Sequence, residues 1–166
     1  KNFSLPAIQA PWREGFILGR KEKGCIFCRR LKRKKDRTDW ILYRGGKNFV
    51  IMNLYPYTSG HLMIVPYRHI AELSDLTPEE SAEMMGLAAR AIKGMKKALR
   101  AEGFNLGMNL GRAAGAGVAG HLHLHVVPRW AGDANFMPVV GKTKVYSVGL
   151  QKIYDSLYPL LRGKKR

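Results

Sequence analysis

Three apolar stretches rich in Ile, Val and aromatic residues, Trp40 to Tyr43, Phe49 to Asn53 and Leu62 to Val65, are separated by Gly45-Gly46 and by the segment from Tyr55 to Gly60. That pattern predicts successive strands of an antiparallel meander. The period then changes: Met85, Ala88, Ile92, Met95 and Leu99 recur at alternating steps of three and four, which paints one apolar stripe on a helix. Thr77 is the expected N-cap, Pro78 suits the first helical position, and Glu80 stands where a capping box places its carboxylate. Glu79, Glu80 and Glu83 at the start and Lys96, Lys97 and Arg100 near the end complement the helix dipole, with Gly103 expected as the stop and the methionines in the core. Phe104 to Asn109 reads as a further strand, and a loop carrying Gly111, Gly115, Gly117 and Gly120 leads into the alternating run from His121 to Pro128. Strands on both sides of a central helix imply an α+β domain, an antiparallel sheet of about five strands with one main helix packed on it.

Composition changes this picture little. A chain of 166 residues with 46% apolar content buries one core, so one compact domain with tails is expected: an N-terminal arm over 1–24, the domain over 25–140, and a C-terminal segment over 141–166 with a basic tail. No apolar stretch approaches the roughly 20 residues of a membrane span, and the start of the chain lacks a signal-peptide layout, so no membrane is expected. The cysteine pair, Cys25 and Cys28, is too close in sequence to staple a secreted fold and points to a reducing cytoplasm. Charge adds more: 29 Lys and Arg against 12 acidic residues give +17, which attracts polyanions. Seven of the nine residues from Arg29 to Arg37 are basic, expected as a solvated loop ahead of a dedicated binding surface.

The chemistry lies in His121, His123 and His125. Alternation with Leu122, Leu124 and Val126 on an extended segment puts all three imidazoles on one face and the aliphatics on the other. One buried His is ordinarily a satisfied polar residue, but three aligned ones favour a metal or catalytic site. The glycines before them allow tight turns and backbone N–H groups close to a phosphate. Neutral imidazole attacks phosphorus near neutral pH when one ring nitrogen is free and the other donates a hydrogen bond that fixes the tautomer.

Residues 121–127 fit His-φ-His-φ-His-φ-φ, with φ apolar, at every position, and in this the chain resembles the histidine triad, or HIT, family. The likeness runs from Cys25 to Pro138. Asn109-Leu110-Gly111-Arg112-Ala113-Ala114-Gly115, Val127-Pro128-Arg129-Trp130 and Gly132-Asp133-Ala134-Asn135-Phe136 look most like its diadenosine tetraphosphate phosphorylase branch. The resemblance implies a HIT-like fold, usually dimeric. It makes His123 the nucleophile of a covalent nucleotidyl intermediate, with His125 contacting phosphate oxygens or the leaving group. It also implies Asn53 at the ribose, His61 beside the active site, Asn109 at the phosphate, and Trp130 shielding the site or stacking a base, the alternative for Trp130 being a core residue. Gly117 replaces a small hydroxyl residue common in the family, which leaves phosphate there to the N–H groups of Gly117 and Val118.

Cys25-x-x-Cys28 has zinc-ligand spacing. Many HIT relatives, and the related galactose-1-phosphate uridylyltransferases, complete such a site with a histidine after the early strands and the first triad histidine, which here are His69 and His121. The implied zinc is structural; buried thiols or a redox dithiol are the alternatives, and no organic cofactor is expected. The leading functional expectation is an enzyme that cleaves dinucleoside polyphosphates by phosphorolysis or hydrolysis through His123. A purine nucleoside phosphoramidase is the near alternative. A basic nucleic-acid-binding or end-processing protein is the alternative from another class, to be recognised by binding that weakens steeply with salt.

Overall fold

In a computed structural model, residues 24–133 and 148–162 are described; nearly all of the expected arm, the residues from 134 to 147, and the basic tail at Lys164, Lys165 and Arg166 lie outside them. Helix α1 (Ile26–Arg33) leads into strands β1 (Ile41–Arg44), β2 (Asn48–Met52) and β3 (Leu62–Pro66). A 3-10 turn (Leu73–Asp75) precedes helix α2 (Pro78–Leu99), then strands β4 (Gly103–Gly107) and β5 (Leu124–Arg129), and helix α3 (Leu150–Arg162). The five strands form one antiparallel sheet in the order β1-β2-β3-β5-β4. The α+β architecture is the one the patterning predicts, with three helices among the described residues where one main helix was expected.

The sheet has two unlike faces. Leu42, Val50, Met52, Leu62, Ile64, Leu124 and Val126 pack on α2 and α3 in the larger core, whereas Ile41, Phe49, Ile51, Met63 and Val65 pack under Phe27 of α1. Strand alternation therefore commits the odd positions of β5, including His125 opposite Met63, to the α1 face.

Helix α2 starts as expected: the Thr77 side chain accepts the Glu80 N–H at 3.2 Å, and Glu80 accepts the Thr77 N–H at 2.9 Å, a complete capping box. Its buried stripe, however, is Met84, Leu87, Ala88, Ala91 and Met95, while Met85 is 57% exposed. The expected stripe was one residue out of phase at its start; with Ala88 and Met95 common to both, the sequence did not decide which methionine turned inward. The stop is Arg100 in the left-handed region at φ 51°, and Gly103 instead begins β4.

Two acidic residues of α2 tie the helix to the sheet. The Glu83 carboxylate accepts the N–H groups of Gly46, Lys47 and Asn48 and the Asn48 side-chain amide at 2.6 to 3.0 Å, filling the β1–β2 turn. A Cβ at Gly45 would lie 2.7 Å from that carboxylate, so the turn requires glycine. Glu80, 3% exposed, takes two bonds from the Arg68 guanidinium at 2.7 and 2.6 Å. These bonds, with the Thr77 N–H, outweigh burial and hold the Glu80 carboxyl down at about 2. A folded pKa below the unfolded one gives stability that is complete above the ordinary carboxylate range and is lost as pH falls through the folded value. The melting temperature is therefore expected to fall between about pH 4.5 and pH 2, with a shallower fall in Glu80→Gln. Identical pH profiles for the two proteins would remove this account.

Two elements correct the sequence reading. The basic run from Arg29 is a helix as far as Arg33, not a loop, and its acidic neighbours are engaged: Asp39 with Arg33 at 3.3 Å, Asp36 with Arg44 and Arg162, and Asp155 with Arg37. The C-terminal segment carries α3, whose Ile153, Tyr154, Leu157 and Leu161 complete the main core. No described helix is long and apolar enough to cross a membrane.

Candidate functional site

Regular pairing of β5 begins only at Leu124, so His121 and His123 stand on the extended segment leading into it, held by the Leu122 N–H on the Ile70 carbonyl at 2.7 Å. All three triad rings are buried, at 0%, 5% and 7% exposure in chain order. Phe27 packs edge-on against His121 at 5.4 Å and tilted against His123 at 5.3 Å, and the His123 and His125 rings are 4.8 Å apart.

Hydrogen bonds fix the tautomer of each ring, because carbonyl oxygens only accept and backbone N–H groups only donate. His123 Nδ1–H donates to the His121 carbonyl at 2.8 Å, which leaves the lone pair on Nε2. Burial holds its pKa below the ordinary imidazole value, so the ring stays neutral. His61 Nδ1 receives the Tyr57 backbone N–H at 3.0 Å and lies 3.3 Å from Asn53 Nδ2, so its proton is on Nε2, which donates to His125 Nδ1 at 2.8 Å. His125 in turn carries its proton on Nε2, a buried atom without a hydrogen-bond partner among the described residues. Burial, with the neighbouring His123, pushes His125 down to about 4. The site therefore presents a neutral lone pair on His123 beside an unpartnered N–H on His125.

His121 points the other way. Its Nε2–H donates to the Pro66 carbonyl at 2.9 Å, and the single Nδ1 lone pair faces Cys25 Sγ at 3.2 Å, Cys28 Sγ at 3.5 Å and His69 Nδ1 at 3.2 Å. The four donor atoms lie within 4.8 Å of one another. Tetrahedral zinc with ordinary Zn–S and Zn–N lengths separates its ligands by about 3.3 to 3.8 Å, so the donor set and its spacing fit that ion.

The remaining expected residues are placed unequally. Asn53 holds the 53–61 loop through its Oδ1, which accepts the Tyr55 N–H at 2.9 Å, and through the His61 contact. His61 is fully buried with both ring nitrogens engaged, so it supports His125 and does not itself face a ligand. Gly60 just before it has φ +87°, and a Cβ there would come within 2.7 Å of Leu99, which explains the glycine. Asn109 donates to the Tyr57 hydroxyl at 3.2 Å at a cleft of about 400 Å³ that is lined by Tyr57, Thr58, Asn105, Leu106, Gly107, Met108, Asn109, His125, Val127 and Arg129. The cleft reaches His125 and not His123. Gly117 is exposed, while Val118 packs near Phe27 and accepts the His121 N–H through its carbonyl. Trp130 follows Arg129 and turns to the opposite face, where its indole N–H donates to the Leu99 carbonyl at 3.1 Å; it does not line the cleft. Tyr57 and Thr58 were missed because a Pro-Tyr-Thr-Ser-Gly segment reads as a turn; no pattern marks it as a wall of the cleft.

Together these features define a class: an α+β protein whose antiparallel sheet presents a reactive imidazole on one face, next to a thiol and imidazole cluster. The HIT domain family matches residues 34–132, and the chain belongs to that family. It is 52% identical over 110 residues to the AP-4-A phosphorylase of Mycobacterium tuberculosis, a match that takes in 66% of this chain and 56% of the relative's length. The chain thus spans little more than half of that relative. It is 31% identical over 93 residues to the asymmetrical bis(5'-nucleosyl)-tetraphosphatase of Schizosaccharomyces pombe, covering 56% of this chain and 50% of that one. Among solved structures, a Zn-bound histidine triad family protein from Mycobacterium smegmatis superposes with a TM-score of 0.67 at 28% identity, covering 84% of this chain and 94% of that one.

Proposed function

We propose that the chain is a nucleotidyl-transferring enzyme that cleaves dinucleoside polyphosphates through a covalent intermediate on His123. The observation that carries this reading is the tautomer pair: Nε2 of His123 is left basic by the His121 carbonyl, beside an N–H of His125 that has no acceptor among the described residues. The names of the phosphorylase and tetraphosphatase relatives support the substrate class. In the first step the Nε2 lone pair forms a bond to the α-phosphorus, the bond to the bridging oxygen breaks, and that oxygen departs with the electron pair while accepting a hydrogen bond from His125. In the second, an oxygen of phosphate or water attacks the same phosphorus and the pair returns to Nε2. Backbone N–H groups of the 111–120 loop and Asn109 are suited to the phosphate oxygens, and Asn53 to the ribose.

Cys25, Cys28, His69 and His121 would hold zinc, which supplies a structural crosslink between α1 and the triad segment; the Zn-bound relative and the donor geometry support it. Chromatography of products from a dinucleoside tetraphosphate, with and without phosphate, tests the reading. Phosphorolysis yields a nucleoside diphosphate and hydrolysis a monophosphate. Failure to release any nucleotide, together with rapid cleavage of a nucleoside phosphoramidate, would transfer the assignment to a phosphoramidase.

A further inference from the structure

The triad face of the sheet is covered unevenly. Over β1 to β3 it is roofed by Phe27 of α1 on Phe49, Ile51, Met63 and Val65, whereas over β5 and β4 it stays open as the cleft of about 400 Å³. His125 stands at that boundary. It lines the cleft, is 7% exposed, and directs an N–H that its bond from His61 forces onto Nε2 but that no acceptor meets among the described residues. A buried donor without an acceptor is costly, so the cleft is built to receive an oxygen.

The rest of the lining selects the group attached to that oxygen. Tyr57 is 45% exposed, with its ring 5.5 Å from the His125 ring and its hydroxyl accepting from Asn109. Arg129, the cationic member of the lining, is already engaged by both carboxylate oxygens of Asp133 at 2.6 and 2.7 Å and by Asn105 at 2.9 Å. A cleft with one phosphate-grade donor, an aromatic platform and a compensated arginine suits an uncharged aromatic group attached to a phosphate, and is poorly suited to a bare polyphosphate. We propose that this cleft is the subsite for the departing half of the substrate, with its bridging oxygen on His125 Nε2–H and the base of the distal nucleoside packed on Tyr57. The phosphate chain bends freely enough to bring that base back against the ring. Tyr57 is then a specificity-determining residue for substrates with a second nucleoside, a role that rests on the nucleotidyl-transfer reading above.

The test compares two substrates with the same nucleotidyl group, a dinucleoside tetraphosphate and a nucleoside 5′-phosphoramidate, whose leaving group is ammonia. Base stacking on an aromatic side chain is lost in Tyr57→Ala, so kcat/KM for the dinucleotide is expected to fall about tenfold more than for the phosphoramidate, with Tyr57→Phe close to wild type. Equal losses on the two substrates, or none, would overturn the subsite. A second measurement separates this from the reaction itself: calorimetric binding of a nucleoside triphosphate, the departing product, to the His123→Asn protein with and without Tyr57→Ala. A Kd about tenfold weaker in the double variant supports the subsite even if wild type turns over no dinucleotide, an outcome that would sink only the proposed reaction. An unchanged Kd overturns the subsite whatever the turnover shows. Melting curves of each variant verify that it is folded.

Discussion

His123→Asn is expected to lose turnover by about 10⁴-fold or more while binding nucleotide within a few-fold of wild type. The asparagine amide reaches the place of the imidazole Nδ1 and keeps the bond to the His121 carbonyl, 2.8 Å in the wild type, so the backbone path of the segment is retained. What disappears is Nε2, the atom that carries the lone pair. Little contact area goes with it, because the ring is 5% exposed. Mass spectrometry of wild type mixed briefly with substrate and quenched in mild alkali is expected to show a nucleotidyl adduct on His123, and the variant none. His125→Asn is expected to behave differently, forming the adduct slowly, since it weakens the bond to the departing oxygen and leaves the nucleophile in place. Retention of more than a trace of activity in His123→Asn would be incompatible with the mechanism.

That ordering of roles was partly legible before any coordinates. Alternation alone put the three imidazoles on one face, and the Thr77–Glu80 capping box and the strands of the sheet followed from local rules that depend on neighbours in sequence. The direction of each imidazole's proton was not legible, because it is set by the Pro66 carbonyl, the Tyr57 N–H and the His121 carbonyl, and two of those three come from distant segments. Helix α1 was hidden by its own charge: with Phe27 as its one buried residue, its apolar signal is a single position. Helix α3 does carry a stripe, Ile153, Tyr154, Leu157 and Leu161, but Pro159 within it reads as a breaker. The Glu83 clasp on the β1–β2 turn was invisible for a related reason. A carboxylate in the first turns of a helix is already explained by the dipole, and nothing local reveals that it also receives three backbone amides from residues 46–48.

Helix α1 also sets the second large effect. It has eight residues, no side-chain hydrogen bond at its Cys25 N-cap, no acidic residue in its first turn and one buried side chain. Helices this short are unstable without tertiary anchorage, although the basic last turn suits the dipole. The anchorage is Phe27 together with the cluster in which Cys25 and Cys28 meet His69 and His121. Zinc bound there would couple its affinity to the docking of α1, and through Phe27 to the seating of His121 and His123. Wild-type protein is expected to carry about one equivalent of zinc by elemental analysis. Cys28→Ser is expected to carry much less, to melt about 10 °C lower, the size of a few kcal/mol in a chain of this length, and to become cleavable by trypsin in the segment from Arg29 to Arg37. Turnover should fall with it, because water then reaches the His123 ring that Phe27 covers. Zinc-free wild type, with Cys28→Ser melting at the same temperature, would show that α1 is held by Phe27 alone and that the four donors are a hydrogen-bonded cluster.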